Sequence, residues 1–422
     1  MLVTEMAVAE RANQTPSRPI RFIGADKDYW RILVRGALFL MVTLGLYRFW
    51  LATDIRRFLW AHTAIDSEPF EYSGTAIELL QGFLIAIALL LPIYTIFLIT
   101  VLDLGPFGNL LSASAVLLLV FLSQYGIYLA RRYRLTRTVF RGLRFHQTGS
   151  AVRYSICAVW WWSLTAVTLG LAYPFNRAAL ERFKMRNTYY GDLQGRFEGS
   201  GWQLFLRGFV LWLLVIFPVL ASLSSFALVD WGAAIDATRG GGDVLGRVED
   251  ASPGFLVAVG FGIIAIVASI ILALLLLPVF HAIITRWWVS GVRFGDIVAV
   301  SHLRTRDVYA AYLRFVGYVL LFALLIGVLA LVGLFIIGLT AATVSSEISE
   351  IVTVLLMVGI YVVSALGLST LYQAIVSLTM WKLTAESTEL SNTATLAQVH
   401  AAGEASSPLG EGIADILNLG GI

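Results

Sequence analysis

Thr43-Leu44-Gly45-Leu46 recurs 125 residues later as Thr168-Leu169-Gly170-Leu171, and the same offset carries Arg57-Phe58 onto Arg182-Phe183. With two residues of drift, Phe70-Glu71-Tyr72-Ser73-Gly74 is answered by Phe197-Glu198-Gly199-Ser200-Gly201. The chain therefore carries a duplicated unit. Its copies lie at the margins of strongly apolar segments, so what is repeated is a way of entering and leaving a bilayer rather than a catalytic pocket.

Composition sets the class. Hydrophobic residues make up 58% of the 422 positions and charged residues 14%, with 12 Trp and a mean hydropathy of +0.81, which excludes an ordinary soluble domain. The single cysteine, Cys157, excludes an internal disulfide framework and a cysteine-rich metal site. Residues 1–19 show no apolar core followed by a small-residue cleavage site, so insertion is expected to be driven by internal spans.

A crossing helix needs about 20 apolar residues, because unpaired backbone groups in hydrocarbon are too costly to leave open. Eight stretches approach or exceed this, at 32–50, 76–99, 110–130, 151–175, 202–229, 254–284, 308–339 and 351–380. Pro92, Pro218 and Pro278 lie inside three of them, where bends are expected. Short loops rich in Lys and Arg stay in the cytoplasm. If all eight stretches cross, the loop cations divide 15 to 12 between the two sides; if 32–50 and 151–175 dip in and return, they divide 25 to 2. The second topology is preferred over two ordinary kinked spans. Gly45, Gly170 and Pro174 then mark the re-entrant turns, since Gly and Pro are where a helix breaks, and Trp160-Trp161-Trp162 fits an interfacial depth.

The fold class expected is an all-α polytopic membrane protein of about six true transmembrane helices plus two re-entrant or interfacial helical elements. Short alternating stretches such as Phe70-Glu71-Tyr72 and Arg21-Phe22-Ile23 either pair as small antiparallel strands under the membrane or are irregular loop. The organisation read from this is a disordered tail over 1–19, a first repeat over 20–130 and a second over 131–284. A degenerate third unit of two spans covers 285–383 and a mostly disordered tail 384–422, where Ile413, Ile416 and Leu417 hint at a short surface helix. Both termini fall in the cytoplasm.

The run Phe22-x-Gly24, Tyr29, Thr43-Leu44-Gly45-Leu46-Tyr47, Phe49-Trp50, Arg56-Arg57-Phe58, His62-Thr63 and Phe70-Glu71-Tyr72-Ser73-Gly74-Thr75 resembles the signature of the YjgN-like family of bacterial inner-membrane proteins. The second half resembles it too, through Ala151-Val152-Arg153-Tyr154, Thr168 to Pro174, Leu180 to Thr188 and Tyr190-Gly191. The family pattern has Pro-Trp where this chain has Pro174-Phe175, and its usual Gly is replaced near Ser67. The resemblance covers about 20–383 and implies an inner (plasma) membrane location and a domain of unknown function, with no activity to transfer.

Charges inside apolar spans are costly and default to functional roles. Arg35, Arg207 and Arg314 sit near the cytoplasmic ends of their segments, where snorkelling to lipid phosphates competes with a substrate-anion contact. They are the candidate lipid or anion contacts. Glu78 also lies within an apolar span, with Asp103 and Asp230 near the predicted outer ends, and no carboxylate is expected at the midplane, which disfavours a proton- or sodium-coupled transporter. The five histidines, His62, His146, His281, His302 and His400, have no metal-binding spacing. No Walker loop, nucleophile elbow or Rossmann fingerprint occurs, and Ser73 and Ser200 are read as turn residues. The expectation is a protein that is not an enzyme, with no cofactor and no metal. Membrane lipids, held by anionic headgroups at the Arg-rich loops, are the partners, and nucleic acid is not. Two functions remain: a structural or lipid-interacting scaffold, or a channel or passive transporter through the repeat interface.

Overall fold

A computed structural model describes residues 18–101, 105–239, 244–343, 345–402 and 413. Eleven strands of two to five residues alternate with long helices. They are β1 Arg18–Phe22, β2 Thr63–Ile65, β3 Glu68–Pro69, β4 Glu71–Tyr72, β5 Thr138–Phe140, β6 Leu143–Gln147, β7 Thr188–Tyr190, β8 Leu193–Phe197, β9 Val292–Phe294, β10 Ile297–Ser301 and β11 Thr388–Ser391. All neighbours pair antiparallel, in the order β3-β2-β1-β11-β10-β9-β8-β7-β6-β5-β4. The outermost strands, β3 and β4, are separated in sequence by Phe70 alone, so the two ends of the sheet lie side by side and the sheet curls into a near-closed ring. Closure leaves no long edge open for pairing with another chain.

Five helical excursions leave this ring and return to it among the described residues. Two are short: α1 Asp26–Val42 with α2 Arg48–Ala61, and α5 Ala151–Val167 with α6 Tyr173–Arg186. Three are long. The first pairs α3 Ala76–Val101 with α4 Gly105–Thr136. The second pairs α7 Gly201–Ser222 with α10 Gly254–Gly291, capped by α8 Trp231–Thr238 and α9 Val244–Ala251. The third pairs α11 Thr305–Thr343 with α12 Ser346–Leu371, which continues through a π-helical turn at Tyr372–Ser377 into α13 Leu378–Glu386. The long excursions supply six helices apolar and long enough to cross a membrane. At 1.5 Å per residue the short helices reach only about 26 and 21 Å, less than a hydrocarbon core.

Both short excursions turn on the Thr-Leu-Gly-Leu element with the same geometry. Leu44 and Leu169 adopt φ +49°, and Gly45 and Gly170 adopt φ +91° and +93°. The Gly45 N–H donates to Leu40 O at 2.8 Å and the Gly170 N–H to Thr165 O at 2.7 Å, the bond that closes a Schellman C-cap. The threonine joins the two helices. The Thr43 hydroxyl donates to Phe39 O at 2.7 Å and accepts from Tyr47 N at 3.0 Å; that of Thr168 donates to Leu164 O at 2.8 Å and accepts from Ala172 N at 3.0 Å. Pro174 occupies the first turn of α6, where its missing N–H costs nothing.

The ring has its own repeat. Where a helix runs into a strand, the Thr hydroxyl donates four residues back: Thr63 to Leu59 O at 2.7 Å, Thr138 to Arg134 O at 2.9 Å, Thr188 to Lys184 O at 2.8 Å and Thr388 to Thr384 O at 2.6 Å. Val292 stands at the fifth position. Six residues before each lies a cation that ties the incoming helix to the chain leaving the ring. Arg57 donates to Gly74 O at 3.0 Å, Arg132 to Gly149 O, Arg182 to Gly199 O at 3.3 Å and Arg286 to Leu303 O at 3.3 Å, while Lys382 pairs with Asp26.

Several sequence expectations change. The fold is not all-α, because the cytoplasm-assigned loops are strands of one ring. Phe70-Glu71-Tyr72 does not pair with Arg21-Phe22-Ile23: β1 lies between β2 and β11, and β4 pairs with β5. The two-residue drift also disappears. Thr43 and Thr168, Thr63 and Thr188, and Gly74 and Gly199 are 125 apart and make matching bonds, and the helix N-caps that follow are Thr75 and Ser200, each accepting the N–H three residues on. Ser73 instead donates to Arg137 O at 3.2 Å. Arg18 and Pro19 belong to β1 and 388–391 to β11, so neither stretch is tail. Asp103, Ile416 and Leu417 lie outside the described residues; Ile413 is helical and buried.

Candidate functional site

Eight-stranded barrels are just filled by their own side chains, and a wider ring leaves room. Here the room is a cavity of about 780 Å³. Its wall follows the two-residue alternation of the strands, with Thr63 and Ile65, Val292 and Phe294, Ile297 and Ala299, and Thr388 and Leu390 facing in. Leu396 forms part of its lining and packs with Val399 against Ile65, Phe140 and Tyr190. The segment that carries them is clamped from both sides: Asp192 N donates to His400 O, and His400 N donates to Asp192 Oδ1, each at 3.0 Å. Further strands add Ile20, Phe140, Phe145 and Tyr190, and helices contribute Leu59, Trp288, Trp381 and the π-helical turn. That turn places Gln373 on the cavity with a buried Oε1 that has no hydrogen-bond partner among the described residues; His281 lines the same cavity, and its Nδ1 contacts the Tyr312 hydroxyl at 3.0 Å. π-Turns inside α-helices are concentrated at functional positions.

Beside the cavity lies a buried charge cluster. Glu181, on α6, is 3% exposed. Its carboxylate accepts from Lys184 Nζ at 2.5 Å and from Trp288 Nε1 at 3.1 Å, and Arg177 approaches it to 3.8 Å. Arg131 reaches the same helix from α4, its Nη2 donating to Met185 Sδ at 3.3 Å. Burial drives the Glu181 carboxyl upward, but Lys184, Arg177 and Arg131 outweigh it and hold the group below the usual carboxylate range. Burial pushes Lys184 down to about 8 against the pull of Glu181. Three cations thus surround one carboxylate, and Arg131 Nη1 and Arg177 Nε are buried without a partner among the described residues.

A second cavity, of about 590 Å³, opens at the side of the ring between α7, α10 and β9–β10. It is polar. Arg207, Arg286, Arg293, Gln203 and Glu198 line it, with Arg293 paired to Glu198 at 3.2 Å. The other two candidate contacts lie elsewhere. Arg35 is spent on Asp54, 2.9 Å away across the first short excursion. Arg314 turns its Nε back to Ala310 O at 3.2 Å. The structure therefore does not bring Arg35, Arg207 and Arg314 together. Glu78 is held by Arg137 at 2.8 Å and by the Tyr133 hydroxyl at 2.6 Å, a satisfied pair at the base of a span. Among the described residues no three His, Cys, Asp or Glu side chains are grouped to hold a metal. Asp230 caps α8 by accepting from Ala233 N at 3.1 Å.

Six apolar helices among the described residues, standing on one ring, define a multi-pass membrane protein. The chain belongs to a family of bacterial proteins of unknown function (DUF898), whose model matches residues 17–266 and again 254–420. It is similar to the inner membrane protein YjgN of Escherichia coli O157:H7, 28% identical over 157 residues, which is 37% of this chain and 36% of that protein. The YjgN of Escherichia coli strain K12 matches at 26% over the same coverage. The matched stretch thus spans about a third of these relatives' length. No solved structure matches. Like these relatives, the chain is an inner-membrane protein of the YjgN-like family.

Proposed function

We propose that the protein is a lipid-interacting membrane scaffold that acts without catalysis, seated by its ring in the cytoplasmic face of the inner membrane. The observation that carries this is the lateral polar cavity, where Arg207, Arg286 and Arg293 converge on one opening at the foot of α7 and α10. Three guanidinium groups against one carboxylate leave the opening positive, and an anionic headgroup is the partner that balances it. The loop cations, which gather at the ends of the helices that meet the ring, support the cytoplasmic side for it. On this reading the two short excursions dip into the same leaflet and return at Gly45 and Gly170. A channel through the ring is the weaker reading, because Leu396 and Val399 pack against Ile65, Phe140 and Tyr190 and the ring's cavity is lined mainly by apolar side chains.

Native mass spectrometry of the protein released from mixed detergent and lipid tests the proposal. Phosphatidylglycerol should be retained over phosphatidylcholine, and Arg207→Gln should lower its retention about tenfold. Equal retention of the two lipids sinks the scaffold reading, and solute flux in reconstituted liposomes would revive the channel.

A further inference from the structure

The charge cluster at Glu181 and the apolar cavity share a wall. Trp288 lines the cavity with its ring and donates its indole N–H to Glu181, so the two sites adjoin through one side chain. Their chemistries are complementary halves of one ligand. The cavity is apolar and about 780 Å³, inside the range of pockets that enclose a whole small molecule. The cluster holds an excess of two positive charges around a carboxylate that is itself almost fully buried. Buried cations persist when paired, and here Arg131 Nη1 and Arg177 Nε have no partner to donate to among the described residues.

We propose that the ring binds one molecule of a single-chain anionic amphiphile, with its hydrocarbon chain in the cavity and its carboxylate or phosphate head reaching past Trp288 to Arg131, Arg177 and Lys184, which stand behind that wall and do not themselves line the cavity. This is a second site, separate from the headgroup opening at Arg207. The anion completes the charge balance that Glu181 alone leaves unfinished. The chain fills space that the eleven strands are too many to close, and each methylene buried there raises affinity about fourfold until the cavity is full.

The test uses the full chain in detergent with defined probes: a long-chain carboxylic acid, the monoalkyl phosphate and the alcohol of equal chain length, and inorganic phosphate. Native mass spectrometry should show a one-to-one adduct with the acid or the alkyl phosphate, whichever is tighter identifying the head, and at least about tenfold weaker retention of the alcohol. Arg177→Gln with Lys184→Gln should abolish the preference for the anion and leave the alcohol unaffected. Ala299→Phe, which fills the cavity from β10, should remove both ligands. Arg207→Gln should change neither, which separates this site from the lateral one. Equal binding of acid and alcohol overturns the proposal, as does inorganic phosphate bound as tightly as its alkyl ester. The acid-to-alcohol comparison on the unaltered protein decides even where a variant fails to fold.

Discussion

The indole Nε1 of Trp288 donates to Glu181 Oε2 at 3.1 Å, linking α10 to α6 at the top of the ring. That bond joins a buried carboxylate, 2.5 Å from Lys184 Nζ, to a residue on the wall of the apolar cavity in the β-ring.

Lys184 gives the stability a measurable pH dependence. Its folded pKa, about 8, lies below its ordinary value of 10.5, so between them the unfolded chain holds the extra proton and stability rises with pH. The charged groups that face it are Glu181, Arg131 and Arg177. Thermal melts in detergent from pH 8 to 10 should climb, and Lys184→Met should flatten the climb; an unchanged slope refutes the assignment.

The Thr hydroxyls that close the helix ends make a graded series. Thr188→Val removes a bond to a carbonyl four residues back while keeping the shape and should cost about 1 kcal/mol, and Thr63→Val should cost more because it also strands the Trp381 indole N–H that donates to the same hydroxyl. Val292 already lacks the hydroxyl, so Val292→Thr should be neutral or stabilising. Denaturation midpoints of the single variants report the order.

The two Leu-Gly turns predict changes of opposite sign. Gly45→Ala and Gly170→Ala place a side chain at φ above +90° and should each destabilise by about 1 kcal/mol. Leu44→Gly and Leu169→Gly relieve a left-handed leucine whose side chain is exposed, and should stabilise by up to about 1 kcal/mol. Melting temperatures of the four variants check the signs.

Single introduced cysteines fix the orientation. Glu68 and Thr148 lie on the ring and are exposed, whereas Gln147 is buried and would label poorly. Glu68→Cys and Thr148→Cys should react from the cytoplasm, and Asp236→Cys, on α8 at the far end of a long excursion, only from outside. Labelling of position 68 from outside defeats the re-entrant arrangement.

The spans were legible because 20 apolar residues in a row need no partner to be recognised, and the Thr-Leu-Gly-Leu turns because both copies are local. The ring was not, because a strand such as Thr63–Ile65 is too short to display a two-residue period, and its neighbour β1 lies some 40 residues away. Pairing Phe70-Glu71-Tyr72 with Arg21-Phe22-Ile23 failed for that reason. Arg207 stood out as a charge in an apolar segment, and the structure puts it on a cavity. Arg131, Arg177 and Lys184 fall among the loop cations that set the expected topology, and Glu181 carries no role in that count; the spacing of four residues from Arg177 to Glu181 is the hint that these two share a helix face.

The pairing of β1 with β11 joins Pro19 to Glu389, about 370 residues apart in the chain. A ribosome delivers the first strand long before its partner exists, so the sheet stays open through nearly the whole of synthesis. Every chain broken off short of residue 388 is left with an unclosed edge, and ring closure thereby becomes a checkpoint that separates finished molecules from truncated ones.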